Sequence, residues 1–232
     1  MHQKRIERDS ITRDTTVLRA GVVQANVRRA VVPEGREQDT PPDDLRRRIE
    51  NLKSGSYIDD IIAEQDSALY RWHEKLSDAL RVYVEPTSTA AGWDPVYPEL
   101  ARNAFSEWSE AGFPLRFAFV YDSTSADIRI RWKDRFPPSE GQRIGVTERI
   151  QTSKFWIANA RIDVANHDST GRLLSTRSVA GILRHEIGHA LGLNHSSDAT
   201  SVMYRESATS MISPSDRATL RLLYLIPPGS LR

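Results

Sequence analysis

The sequence predicts an α+β domain, on three observations. Between residues 80 and 165 lie five short segments of apolar or alternating residues, the pattern of strands. Two stretches, 96–110 and 213–224, carry apolar residues at helical spacing. Residues 185–195 read HEIGHALGLNH, and the spacing of its polar side chains requires a helix that stops abruptly. The expected architecture is a five-stranded sheet with a motif-bearing helix, a C-terminal helix and a helical N-terminal extension.

At the start, MHQKRIERDS is polar and charged without an apolar core, so it is not a signal peptide. Residues 28–44, rich in Pro, Arg, Glu and Asp, read as a linker. Residues 43–53 and 57–79 look helical, the second with Ile58, Ile61, Ile62, Leu69 and Trp72 as a packing stripe. Two domains follow from this reading. Residues 1–79 form an extension that packs on the rest or a propeptide that blocks it, and residues 80–232 form the main domain.

Strands are expected at 80–84, 115–120, 126–132, near 145–150, and at 157–165. A helix over 96–110 places Ala101, Ala104, Phe105 and Trp108 on one face. The next helix begins near Arg177 and buries Val179, Ile182 and Leu183 before it reaches His185. At the end, Ser213 reads as an N-cap, Pro214 as the first helical residue and Asp216 as a first-turn acid, with Leu220, Leu223 and Tyr224 at helical spacing.

The motif carries the chemistry. His185 and His189 stand four residues apart, so both imidazoles leave one face of a helix, a turn apart, and can grip one ion. Glu186 lies about 100° round, where it can act on a bound water without serving as a ligand. A continuing helix would carry His195 to the far side, so the chain must break. Gly192 stands where the break is needed, since glycine enters the left-handed conformation freely. Three neutral imidazoles leave one coordination position open, the arrangement of a catalytic zinc. Half of the six histidines of the chain fall in this window, which an ordinary amphipathic helix end does not explain.

Composition excludes other classes. With 39% hydrophobic residues and a mean hydropathy of −0.50, no membrane span is expected. A net charge of +1 argues against a nucleic-acid or anionic-membrane surface. There are no cysteines, hence no disulfides.

Eight residues beyond His195 stands Met203, in Ser201-Val202-Met203-Tyr204. With the histidine motif and the closing helix that ends in Leu-Tyr, this resembles the metzincin metallopeptidases. It is most similar to the matrixins, a prokaryotic member being expected. The resemblance covers about residues 80–226. It implies a twisted mixed five-stranded sheet, with Met203 beneath the metal ligands as an apolar floor. Matrixins usually have proline where Arg205 stands.

The resemblance further implies a zinc endopeptidase with one catalytic ion on His185, His189 and His195 and with Glu186 as general base, then acid. A non-catalytic or occluded zinc-bound relative that binds peptides is the alternative. The substrate is a protein or peptide, bound extended along an edge strand near 145–150. The cysteine-based latency of some relatives cannot operate here. A propeptide carboxylate such as Asp59, Asp60 or Asp66 is the candidate replacement. Only His167 and Asp168 stand where the family's second, structural zinc would bind, so that ion is not expected, and calcium is left open. A monomer in an extracellular or periplasmic setting is expected, with an intracellular one as the alternative.

Overall fold

The structure, a computed structural model, describes residues 10–17, 40–73, 79–206 and 210–232. Its elements run β1 (Ser10–Val17), α1 (Pro42–Leu52), α2 (Ile58–Glu64), β2 (Ala68–Leu69), β3 (Leu80–Val84), α3 (Tyr97–Ser109), β4 (Phe117–Phe119), β5 (Ile128–Lys133), β6 (Arg143–Gln151), β7 (Ile157–Ala165), α4 (Thr176–Ala190), α5 (Pro214–Leu225) and β8 (Gly229–Ser230). The main sheet has the order β1-β6-β7-β5-β3-β4. Strands β4, β3, β5 and β7 are mutually parallel, whereas β6 runs antiparallel to β7 and β1 antiparallel to β6.

The five expected strands are therefore present as a mixed sheet. A sixth, β1, joins it from the N-terminal region. Alternation along the strands decides the two faces. Val82, Ile128, Ile130, Ile162 and Val164 are fully buried in one core cluster with the inner residues of α3 and α4. The opposite face is charged, with Arg131 on Asp163 at 2.9 Å and Arg161 on Glu148 at 2.7 Å. Helices α3 and α4 are locked side by side. The Trp108 indole N–H donates to the Arg184 carbonyl at 2.9 Å, and Arg184 pairs with Glu107 at 2.6 Å.

Residues 40–73 share this core. Leu45, Ile49, Ile58, Ile61, Leu69 and Trp72 are buried in the same contiguous cluster as the sheet and α4. Their local structure departs from the single helix expected over 57–79. The helix stops at Glu64, because Asp66 and Ser67 take left-handed φ values of 53° and 66° and turn the chain back. The chain then pairs as β2 with β8, and Leu69 and Trp72 reach the core from a strand and a loop. Residues 74–78 lie outside the described residues, as does most of the expected linker over 28–44. The end of that stretch begins α1, with Pro42 in its first turn.

Candidate metal centre

Helix α4 starts where the Ser175 hydroxyl caps the Ser178 N–H at 3.1 Å, and it delivers His185, Glu186 and His189 into the core. Its end has the expected break. Gly192 has φ 110°, the Leu193 N–H reaches back to the Gly188 carbonyl at 3.0 Å, and the Gly192 N–H reaches the His189 carbonyl at 2.9 Å. This is a Schellman close, and it swings His195 round to face the first two histidines.

The last carbonyls of α4 end in the interior and need donors there. Arg149 of β6 supplies one to His189 at 3.0 Å, the Trp72 indole one to Ala190 at 2.8 Å, and the Tyr224 hydroxyl one to Leu191 at 2.9 Å. A Cβ at Gly192 would lie 2.6 Å from the Tyr70 carbonyl oxygen, a backbone atom that cannot step aside. Gly192→Ala is therefore expected to cost at least the ~1–2 kcal/mol of a left-handed residue. A lowered urea midpoint, with weaker zinc retention, is the check.

The three histidines come together with one ring nitrogen from each within 4.8 Å of the others, and all three are buried. Each Nδ1 has its own acceptor: the Val202 carbonyl at 2.6 Å for His185, the Leu193 carbonyl at 2.9 Å for His189, and Glu64 Oε1 at 2.8 Å for His195. With those protons on Nδ1, every Nε2 presents a lone pair to the same point. The Nε2 atoms of His185 and His189 are 2.9 Å apart, and His195 Nε2 is buried without a hydrogen-bond partner among the described residues.

Lone pairs so crowded are stable around a cation, so the donor set fits a metal. Neutral imidazoles with hydrogen-bonded Nδ1 atoms suit zinc. Burial, reinforced by the neighbouring His195, holds the pKa of His185 down to about 3. Burial likewise depresses His189, with the other two rings adding to it. Both rings are neutral at pH 7, the form that binds metal.

Glu186, next to His185 in α4, is fully buried. The Thr147 hydroxyl of β6 lies 2.6 Å from its Oε2 and 2.9 Å from its backbone carbonyl. Gly145 lets β6 pass, because a Cβ there would collide with the Glu186 carboxylate. Met203 is fully buried with its sulfur against Gly188, where any side chain would displace it. The Met203 turn is tied by Asp216, whose carboxylate accepts from the Val202 N–H at 3.0 Å, the Ser213 N–H at 2.7 Å and the Ser201 hydroxyl. Since Val202 in turn holds His185, α5 reaches the metal position through this turn.

The three expected ligands thus come together, with Glu186 next to His185 in α4, Gly192 at the break that returns His195, and Met203 against Gly188. Glu64, Thr147, Gly145, Gly188 and Asp216 join them and were not anticipated in these roles. Two glycines inside regular elements were the available signal, since each weakens its helix or strand unless something needs the space. Glu64 gave none, an acid on a helix being ordinarily solvated.

The three aspartates considered as blocking groups turn elsewhere. Asp59 pairs with Lys53 at 3.0 Å, Asp60 accepts from the Ser197 N–H at 2.8 Å, and Asp66 pairs with Arg232. His167 pairs with Asp134 at 2.7 Å, and Asp168 caps its own turn through the Thr170 N–H at 2.9 Å. Among the described residues, the three histidines are the only cluster of such groups close enough for a metal.

An open cleft of about 550 Å³ adjoins His195, lined by Asp60, Glu64, Ser197, Tyr204 and Arg205. The outer edge of β6 is occupied. Strand β1 pairs along it in antiparallel register from Ser10↔Gln151 to Val17↔Arg143 and also approaches α4.

A family model described as matrixin matches residues 71–225. Metalloendoproteinase 1-MMP of Arabidopsis thaliana is 30% identical over 112 residues, 44% of this chain and 30% of that protein. Karilysin of Tannerella forsythia is 30% identical over 112 residues, 44% of this chain and 23% of that protein. A putative matrix metalloproteinase of Heliothis virescens ascovirus 3e is 33% identical over 115 residues, 44% of this chain and 24% of that protein. In each case the match spans less than a third of the relative's length.

Proposed function

The chain belongs to the matrixin family, and from that premise we propose that it is a zinc-dependent endopeptidase whose substrate-binding edge is covered by its own strand β1. The observation that carries the first half is the convergence of one ring nitrogen from each of three buried histidines, two of them on the helix that also carries a fully buried Glu186. Bound there by His185, His189 and His195, zinc would acidify a water and polarise a peptide carbonyl. Glu186 would accept a proton from the attacking water at one carboxylate oxygen, with the Thr147 hydroxyl holding the other, and would pass it to the amine as the carbon–nitrogen bond breaks. Met203 and Gly188 keep the floor beneath the ligands dry and close-packed.

An extended peptide is expected to bind by pairing with β6, an added strand whose backbone hydrogen bonds align its carbonyl with the metal. In the structure β1 makes that pairing. This favours an occluded resting state, with residues 1–39 carrying the covering segment and 40–73 belonging to the working body. The full set of catalytic groups argues against permanent occlusion. No described helix is long and apolar enough to cross a membrane. An exported monomer acting on proteins outside the cytoplasm is the setting this reading takes from the family.

The test compares the full chain with one lacking residues 1–39 on an unfolded protein substrate, with and without a zinc chelator. The shorter chain is expected to cleave about tenfold faster or more, the effect of a closing preference of about 1.4 kcal/mol. Chelation should stop both. Equal rates would remove the covering role of β1, and cleavage that survives chelation would remove the zinc mechanism.

A further inference from the structure

We propose that Glu64 is a positioning residue of the metal centre, holding the His195 imidazole in the tautomer and orientation that present Nε2 to the ion. The inference rests on the zinc-centre reading above and concerns a residue 131 positions away from its target.

Glu64 engages His195 twice. Oε1 accepts the ring Nδ1–H at 2.8 Å, and Oε2 accepts the backbone N–H at 2.9 Å. A two-point contact fixes both where the residue stands and how its ring is turned. The Nδ1 atoms of the other two ligands face backbone carbonyls, whereas that of His195 faces a carboxylate. A charged acceptor binds the ring proton more tightly than a carbonyl and raises the basicity of the opposite nitrogen. It also places an anion behind one ligand of a dication that would be held by three neutral imidazoles.

The carboxylate is itself fixed from several sides. Arg205, just beyond Met203, pairs with Glu64 Oε1 at 2.5 Å. Helix α2 is pinned by Ile58 and Ile61, both fully buried, and by Asp60, which caps the Ser197 N–H at 2.8 Å. The next residue, Gln65, joins its amide to that of Asn194, the neighbour of His195. The polar ties run from Asp60, Glu64 and Gln65 to the segment that bears the third ligand and the turn after it. The segment is therefore a splint for the open end of the motif, which has left the helix and has no regular structure of its own.

The experiment uses the full chain with Glu64→Ala and Glu64→Gln. Zinc affinity is read by competition with a chromogenic chelator, ligand geometry by the visible spectrum of the cobalt-substituted protein, and fold by the melting temperature of the metal-free protein. Glu64→Ala is expected to weaken zinc binding about 10–100-fold and to shift the cobalt bands, with the metal-free melting temperature little changed. Glu64→Gln, which keeps an acceptor but not the charge, should recover part of the affinity. If Glu64→Ala does not fold, the isosteric Gln variant decides on the same readouts.

Affinities equal to wild type, or losses that only track the metal-free melting temperature, would overturn the assignment. A wild-type chain that takes up no zinc would overturn this inference and the endopeptidase reading together. A wild type that binds zinc no better than its variants overturns this inference alone.

Discussion

Glu186→Gln is expected to lower kcat/KM by about 10²–10⁴-fold, the range lost when a positioned general base is removed, with bound zinc unchanged. The substitution preserves shape in a site with no slack. Gly145 has no side chain where β6 crosses Glu186, and Thr147 approaches one carboxylate oxygen at 2.6 Å. An amide oxygen still accepts that hydroxyl, so the packing of β6 on α4 should survive while the proton acceptor is lost. Zinc content by elemental analysis, beside steady-state kinetics, separates the two. A variant that keeps zinc and also keeps near wild-type turnover would remove Glu186 from the chemistry.

Asp216→Ala is expected to cost about 3–5 kcal/mol and to weaken zinc retention as well, the scale of stranding a buried hydrogen-bonded network. Asp216 is fully buried and gathers three donors, two on the Met203 turn and one at the cap of α5. Its removal leaves the Val202 and Ser213 N–H groups without that acceptor and frees the strand of chain whose carbonyl steadies His185. Urea unfolding with zinc present and absent reads both effects. Loss of stability without any loss of zinc affinity would show that the turn does not orient His185.

Much of this centre was legible in the sequence because its ligand set is local. Periodicity placed His185 and His189 on one face, and Gly192 marked the break that returns His195. Both are geometric necessities written within eleven residues. Strand positions were legible for the same reason. Alternation in Leu80–Val84 and Ile157–Ala165 reflects one apolar and one charged face of the sheet.

What was not legible is long-range. Asp216 reads as an ordinary first-turn acid, and it does complete a capping box with Ser213. Its second task, on the Met203 turn, depends on how α5 packs. Glu64 is likewise anonymous until α2 is laid against His195. The helix expected through Asp66 fails because residues with weak helical preference meet a tertiary reward for turning back, the pairing of β2 with β8. Strand β1 had a local signature in five β-branched residues of eight. A run of that kind says nothing about which edge it will join.

The unexpected Arg205 also finds its reason here. It stands where the resemblance leads one to expect proline, and it pairs with Glu64, a partner that only the N-terminal segment provides.

The pairing of Ala68–Leu69 with Gly229–Ser230 sets the order in which this centre can be completed. During synthesis the three histidines emerge well before residues 229–230, so for a time the chain holds its ligands without the clasp that seats α2 against them. Maturation of the centre is thereby coupled to delivery of the late segment. A nascent chain carries the three-histidine motif before it carries the late strand that pairs with β2.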